Sequence, residues 1–187
     1  MSLYLTVDTE ICLRHHQPED AEKLFTLVEA NRQHLARWMP WVPLTKTVDE
    51  THQFIERCRK QFDEKKGFNG GLYWRGRLVG CLGQNGQPDF SRMSPLGYWL
   101  DADCTGHGIM TRAVRALTTH LFDDVGLHRI EIHCASENMA SRGIPERLGF
   151  TIEGVQREAE WVDNLPHDLV LYSMLSTEWP PASSPQT

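Results

Sequence analysis

The chain has 187 residues, 40% of them hydrophobic, with a formal net charge of −6, five cysteines, nine histidines and six tryptophans. That length suits one globular domain with a real core, and the acidic balance argues against direct nucleic-acid binding, which rests on clustered lysine and arginine. No apolar run approaches the roughly 20 residues that span a membrane, MSLYLTVDTE lacks a signal-peptide pattern, and five scattered cysteines point to reduced thiols and a cytoplasmic setting.

Residues 10–14 read as a short first strand. Gln17-Pro18-Glu19-Asp20 starts a helix with proline and acids in its first turn, and Ala21, Leu24, Phe25, Leu27 and Val28 form its apolar stripe. A second helical piece carries Leu35 and ends in Trp38-Met39-Pro40-Trp41-Val42-Pro43. This stiff aromatic corner is either packing at a helix end or one wall of an acceptor pocket. Residues 48–66 form a charged helix with Val48, Phe54, Ile55, Cys58 and Phe62 inside. Residues 70–74 and 78–83 are strands joined in a hairpin through Arg75-Gly76-Arg77, and 83–95 is a loop.

Leu96, Tyr98 and Leu100 then alternate with Gly97, Trp99 and Asp101, a strand pattern. From Ile109 the period changes: Ile109, Met110, Ala113, Val114, Leu117, Leu121 and Phe122 fall on one helical stripe. Gly106-His107-Gly108 lies between the two. The first N–H groups of a helix lack internal partners and carry its positive dipole end, so glycines before them suit a phosphate or pyrophosphate. A nucleotide-triphosphate loop is excluded because Gly108-Ile109-Met110 offers no lysine. The dinucleotide fingerprint is excluded because Thr111 stands where its third glycine belongs.

Residues 128–134 alternate as another strand, and 138–148 form a helix closed by Gly149. Pro145 lies inside that helix, where it cannot donate to the carbonyl of Ser141 and costs about 3 kcal/mol if nothing compensates. Residues 151–162 and 167–175 make a closing hairpin around Asp163-Asn164-Leu165-Pro166. The tail 180–187 (PPASSPQT) is expected to be disordered. Nine histidines without an HExxH pairing give no metal-site pattern. The order is strand, helices, three strands, helix, strand, helix, two strands, hence a single mixed α/β (α+β) domain over 1–179.

Four stretches together carry a resemblance: RWMPWVP at 37–43, GYWLDADCTGHGIMTRAVRAL at 97–117, ENMASRGIPERLGFTIEG at 137–154 and DLVLYSML at 168–175. In this order the chain resembles the GNAT superfamily of acetyl-CoA-dependent N-acetyltransferases, and within it the ribosomal-protein serine or alanine N-terminal acetyltransferases. The resemblance implies a central mixed, mostly antiparallel sheet flanked by helices, acetyl-CoA as co-substrate, and direct transfer to a primary amine. It gives the pyrophosphate to the loop Gly106, His107, Gly108, Ile109, Met110 and Thr111, through backbone N–H groups. It gives the pantetheine arm to the backbone of Trp99 and Leu100, as to an added strand, with one of those amides as oxyanion donor and Asn138 as anchor. Arg112, Arg115 and Arg142 are its candidates for the adenosine-side phosphates.

By the same resemblance Glu160, sharing a strand face with Glu158, is the base. Ser141 is the hydrogen-bond donor to the CoA sulfur, because the tyrosine that many members carry seven residues after the helix's asparagine is Pro145 here. Thr105 replaces the long polar residue that opens the family's Q/R-x-x-G-x-G/A loop. Cys134 as an acyl nucleophile beside His133 is set aside, since adjacent strand residues point to opposite faces. The expected acceptor is a protein N-terminal amine, perched among Trp38, Trp41 and Trp161. A polyamine, aminoglycoside or aminoacyl-nucleotide is the rival, and a non-catalytic acyl-CoA-binding module the third reading. Dimers are common among similar enzymes, which makes a homodimer possible, and no residue of the sequence settles the oligomeric state; no membrane partner is expected.

Overall fold

Strand side chains alternate between the two faces of a sheet, and in this chain both faces are covered. The computed structural model describes residues 3–85 and 92–180. Its elements are β1 Tyr4–Thr6, β2 Ile11–His15, α1 Ala21–Ala30, α2 Arg32–Leu35, α3 Val48–Asp63, β3 Gly67–Trp74, β4 Arg77–Asn85, β5 Met93–Leu100, α4 Ile109–Asp123, β6 Arg129–Ala135, α5 Met139–Arg147, β7 Thr151–Val162 and β8 Leu165–Leu175. The strands form one sheet in the order β1-β2-β3-β4-β5-β6-β8-β7. Among the described residues only β5 and β6 pair in parallel. This is the mixed, mostly antiparallel architecture expected from the sequence.

Leu72, Val79 and Leu82 meet Ala113, Val114 and Leu117 of α4 on one face, together with Ile144 of α5 and Leu148 at its C-cap. Their strand neighbours Tyr73, Leu78 and Cys81 meet Ala21 and Leu24 of α1 and Ile55 of α3 on the other. No helix among the described residues is long and apolar enough to cross a membrane.

Several boundaries differ from the sequence reading. Strand β1 was not expected. The expected loop 83–95 shrinks, because β4 runs on to Asn85 and β5 starts at Met93, with Pro95 paired opposite Glu131. Residues 86–91, and the tail from 181, lie outside the described residues. Helix α3 stops at Asp63, and its buried positions are Thr51, Ile55 and Cys58. The closing turn is Asp163-Asn164 alone, both at left-handed φ (49° and 60°), the geometry of a two-residue hairpin. Leu165 and Pro166 therefore belong to β8.

Asp20 ties the start of α1 to the sheet. Its carboxylate accepts two hydrogen bonds from Arg14 of β2, both at 2.8 Å, one from the Tyr73 hydroxyl of β3 at 3.1 Å and one from the Gln17 N–H at 2.8 Å. Burial pushes this carboxyl up, but the Arg14 guanidinium and the Gln17 N–H override it and hold it below the ordinary aspartate value. A group depressed in the folded state stabilises above its unfolded pKa, and that contribution is lost as pH falls through the folded one. Asp20→Asn leaves a partly solvated Arg14 without its partner and is expected to cost about 2–4 kcal/mol. Urea unfolding at neutral pH checks this, and the gap to wild type should narrow in acid. Equal midpoints at both pH values would refute the assignment.

Candidate functional site

The parallel pairing of β5 with β6 lasts only four residues, from Met93↔Arg129 to Leu96↔Ile132. Beyond it β5 stays with β4, from Gly97↔Gly83 to Leu100↔Gly80, while β6 stays with β8, from His133↔Leu171 to Ala135↔Leu169. The strands part, and the sheet opens between Gly97–Leu100 and 133–135. Two cavities meet at this gap. One, of about 760 Å³, is walled by the aromatic corner, α1, α3 and the strand ends, and includes Glu160. The other, of about 690 Å³, runs along the first turn of α4 and the outer side of α5. Trp38, Met39, Tyr98, Trp99, Asn138 and Ser141 line both.

The second cavity ends on a bare helix terminus. Gly106 and Gly108 have left-handed φ values of 80° and 69°, which glycine adopts without a Cβ penalty. A Cβ at either would meet no atom within 4 Å, so the approach is open. The first backbone bond of α4 runs from the Arg112 N–H to the Gly108 carbonyl at 3.0 Å, which leaves the N–H groups of Ile109, Met110 and Thr111 without helical partners. The side chains of Ile109 and Met110 are buried in the core, so these residues face the cavity through their backbone. The His107 ring turns away, packing on Trp74 at 5.2 Å with its Nδ1 2.9 Å from the Thr105 carbonyl. Thr105 Oγ1 donates to the Ala102 carbonyl at 2.8 Å, so the residue that departs from the family pattern closes its own loop.

At the junction, Asn138 caps α5, accepting the Ser141 N–H at 3.1 Å, and also lines both cavities. Pro145 cannot donate to the Ser141 carbonyl. The Tyr98 hydroxyl of β5 donates to that carbonyl instead, at 3.0 Å. Ser141 Oγ then lies 3.4 Å from the Tyr98 oxygen and 3.2 Å from Cys134 Sγ. Burial pushes the Tyr98 phenol well up, so it stays protonated, and burial likewise raises the Cys134 thiol. His133 Nε2 pairs with Glu131 at 3.0 Å, away from the Cys134–Ser141 contact.

Glu160 stands opposite His167 in the β7–β8 register. Burial pushes its carboxyl above the ordinary glutamate value, with His167 and His133 pulling partly the other way. The shared face with Glu158 is not found. The register breaks between Gln156 and Glu160, Glu158 takes a φ of 51°, and its N–H donates to Asp168 Oδ1 at 2.8 Å. Trp38 and Trp41 both line the acceptor-side cavity, Trp41 lying 6.3 Å from the Trp99 ring; Trp161 is 58% exposed and lies outside its lining.

The three arginines expected at the adenosine-side phosphates each have a partner within the chain. Arg112 donates to Asp8 at 2.6 Å, Arg142 donates to the Tyr172 hydroxyl and the Ser136 carbonyl at 2.9 Å each, and Arg115 lies over the Trp179 ring at 5.9 Å. The arginine that does line the second cavity is Arg147. Sequence reasoning missed it and Tyr98, one an ordinary helix-end cation and the other one residue of an alternating strand.

The family model described as "Acetyltransferase (GNAT) domain" matches residues 10–151. The chain belongs to the GNAT acetyltransferases. "Putative ribosomal N-acetyltransferase YdaF" of Bacillus subtilis (strain 168) is 35% identical over 174 residues, 92% of this chain and 95% of that one. Among solved structures, RimL, a ribosomal L7/L12 α-N-protein acetyltransferase in complex with coenzyme A, is similar with a TM-score of 0.90 and 25% identity, covering 92% of this chain and 98% of that one. The microcin C7 self-immunity acetyltransferase MccE, in complex with acetyl-CoA and AMP, is similar with a TM-score of 0.86 and 28% identity, covering 90% of this chain and 94% of that one. The chain is thus a GNAT N-acetyltransferase with acetyl-CoA as its co-substrate. The parted strands and the bare first turn of α4 fit that group.

Tyr98→Phe strips the Ser141 carbonyl of its donor and is expected to lower stability by about 1–3 kcal/mol. In a Pro145→Ala background residue 145 regains an N–H for that carbonyl, so the penalty should shrink. A double-mutant cycle in urea checks it, and simple additivity would refute the bond's role.

Proposed function

We propose that this enzyme acetylates the N-terminal amine of a protein, with Glu160 as general base and Ser141 as hydrogen-bond donor at the departing sulfur. The observation that carries this is the meeting of the two cavities, one holding a half-buried carboxylate and the other the unpaired N–H groups of α4, at Tyr98, Trp99 and Ser141. Acetyl-CoA supplies an acetyl thioester. The N–H groups of Ile109, Met110 and Thr111 hold pyrophosphate oxygens, the open edge of Trp99 and Leu100 pairs with the pantetheine amides, and Asn138 anchors the arm.

A protonated amine has no lone pair for attack. Glu160 takes that proton, directly or through a water, and its raised pKa brings its basicity closer to the amine's. Ser141 Oγ–H turns from the Tyr98 oxygen toward the sulfur.

The lining favours a peptide over a polyamine. Its carboxylates are Glu50 and Glu160, and Glu50 is occupied by the N–H groups of Lys46 and Thr47 at 2.6 and 3.0 Å. Arg57 adds a positive charge. A polycation would meet two carboxylates, one of them already bonded to its own chain, and one like charge. The names of YdaF and RimL support a ribosomal protein as acceptor. The tryptophan walls and the likeness to MccE favour an aminoacyl-nucleotide as the second reading.

Thiol release from acetyl-CoA should therefore occur with a serine-initiated peptide and not with spermidine. Release with an aminoacyl-adenylate analogue alone would replace the peptide by the second reading. Glu160→Gln should lower kcat by about 10²–10⁴-fold without weakening acetyl-CoA binding. Wild-type kcat/KM should rise with pH through an apparent pKa above the usual carboxylate value, and the variant should lose that limb. Because the folded-state pKa is raised, ionised Glu160 destabilises the fold at neutral pH, so the variant's Tm should be no lower than wild type. An unchanged rate removes Glu160 from the mechanism.

A further inference from the structure

Helix α5 carries a glycine in its middle, Gly143, where glycine is a poor helix former. What the missing side chain makes room for is visible: a Cβ at Gly143 would stand 2.8 Å from Arg147 Nη1, the far end of a long side chain on the next turn. The guanidinium folds back across the glycine toward α4, where its Nη2 donates to Thr111 Oγ1 at 3.3 Å. Thr111 belongs to the first turn of α4, beside the N–H groups without helical partners. Both Thr111 and Arg147 line the cavity that runs along that turn.

Charge singles out Arg147 further. Arg112, also near the loop, is neutralised by Asp8, its other hydrogen bond reaching the His107 carbonyl at 3.4 Å. Arg142 faces Glu146 at 3.5 Å. Among the described residues Arg147 makes no ion pair, and no other arginine lines this cavity. A planar guanidinium with unspent donors, beside a turn of bare N–H groups, is suited to phosphate oxygens.

We infer that Arg147, seated by Gly143, is the side-chain ligand of the CoA pyrophosphate, completing the backbone cradle of α4. The inference rests on the acetyl-CoA reading of the cavity and adds a residue pair to it. Arg147 acts by binding and Gly143 by positioning; neither moves a proton.

Binding of CoA, 3′-dephospho-CoA and pantetheine to the full chain tests this, followed by quenching of tryptophan fluorescence, since Trp38 and Trp99 line the cavity. Arg147→Ala should weaken CoA and 3′-dephospho-CoA alike, by about tenfold, and leave pantetheine unchanged. The loss should shrink as salt rises. Gly143→Ala displaces only a flexible side-chain end and favours the helix, so its Tm should equal or exceed wild type. Its CoA affinity should nevertheless fall between wild type and Arg147→Ala, and the double variant should bind no worse than Arg147→Ala alone. A loss confined to CoA would move Arg147 to the 3′-phosphate and overturn the pyrophosphate assignment. An equal loss for pantetheine would make Arg147 merely structural, and wild-type affinity in Gly143→Ala would remove the glycine from the account. Wild type that binds CoA beside variants that bind equally well sinks the Arg147 inference alone. Wild type that binds no CoA at all sinks the cofactor reading first.

Discussion

A four-residue parallel pairing holds the two halves of the sheet together, and the active cleft exists because that pairing stops. Strands β5 and β6 leave each other after Leu96 and Ile132, each keeping its outer antiparallel neighbour. Backbone N–H and C=O groups on the facing edges are then left for something other than a strand. Across the gap the Tyr98 hydroxyl bridges β5 to α5, donating to the Ser141 carbonyl and accepting from Ser141 Oγ. That carbonyl is available only because residue 145 is proline. The residue that removes the family's usual tyrosine thus creates the acceptor that fixes another tyrosine beside the serine.

Charge in the cleft follows from which groups find partners elsewhere. Several arginines are spent on structure: Arg14 on Asp20, Arg77 on Asp101, Arg112 on Asp8, Arg142 on Tyr172 and Glu146. Glu160 is the opposite case. It has no arginine to lower its pKa, only two histidines at a distance, so desolvation wins. A carboxylate held by arginine is a weak base, and Asp20 shows that outcome within the same molecule. The same physics that holds Asp20 below the ordinary aspartate value leaves Glu160 above the ordinary glutamate value.

Much of this was legible in the sequence, and the limits have physical causes. The strand–loop–helix unit from Leu96 to Phe122 announces itself because its period changes from two to 3.6 across two glycines. Gly106, Gly108 and Asn138 fall where local rules put them. The bulge at Glu158 did not show, because it is a left-handed φ on a residue with no preference for it, imposed by its bond to Asp168 ten residues on. The fates of Arg112 and Arg142 depended on partners such as Asp8, 104 residues away, which no local pattern encodes. Pro95 hid the start of β5, since proline argues against a paired strand, and only the register to β6 shows that it fits there.

Two departures from the family pattern, Thr105 and Pro145, motivated the reading of this chain as a binding module that had lost its chemistry. Each is compensated within reach of its own atoms. Thr105 donates to the Ala102 carbonyl and keeps the loop before Gly106 closed, leaving the cradle to backbone N–H groups that need no particular side chain. Pro145 hands the Ser141 carbonyl to Tyr98. A chain drifting toward simple binding has no reason to retain a half-buried glutamate at a desolvation cost, or to bond a half-buried tyrosine beside a serine among the residues common to both cavities. Those costs are ones that a transferase recovers in its reaction and a binding module does not, which weighs the site toward catalysis.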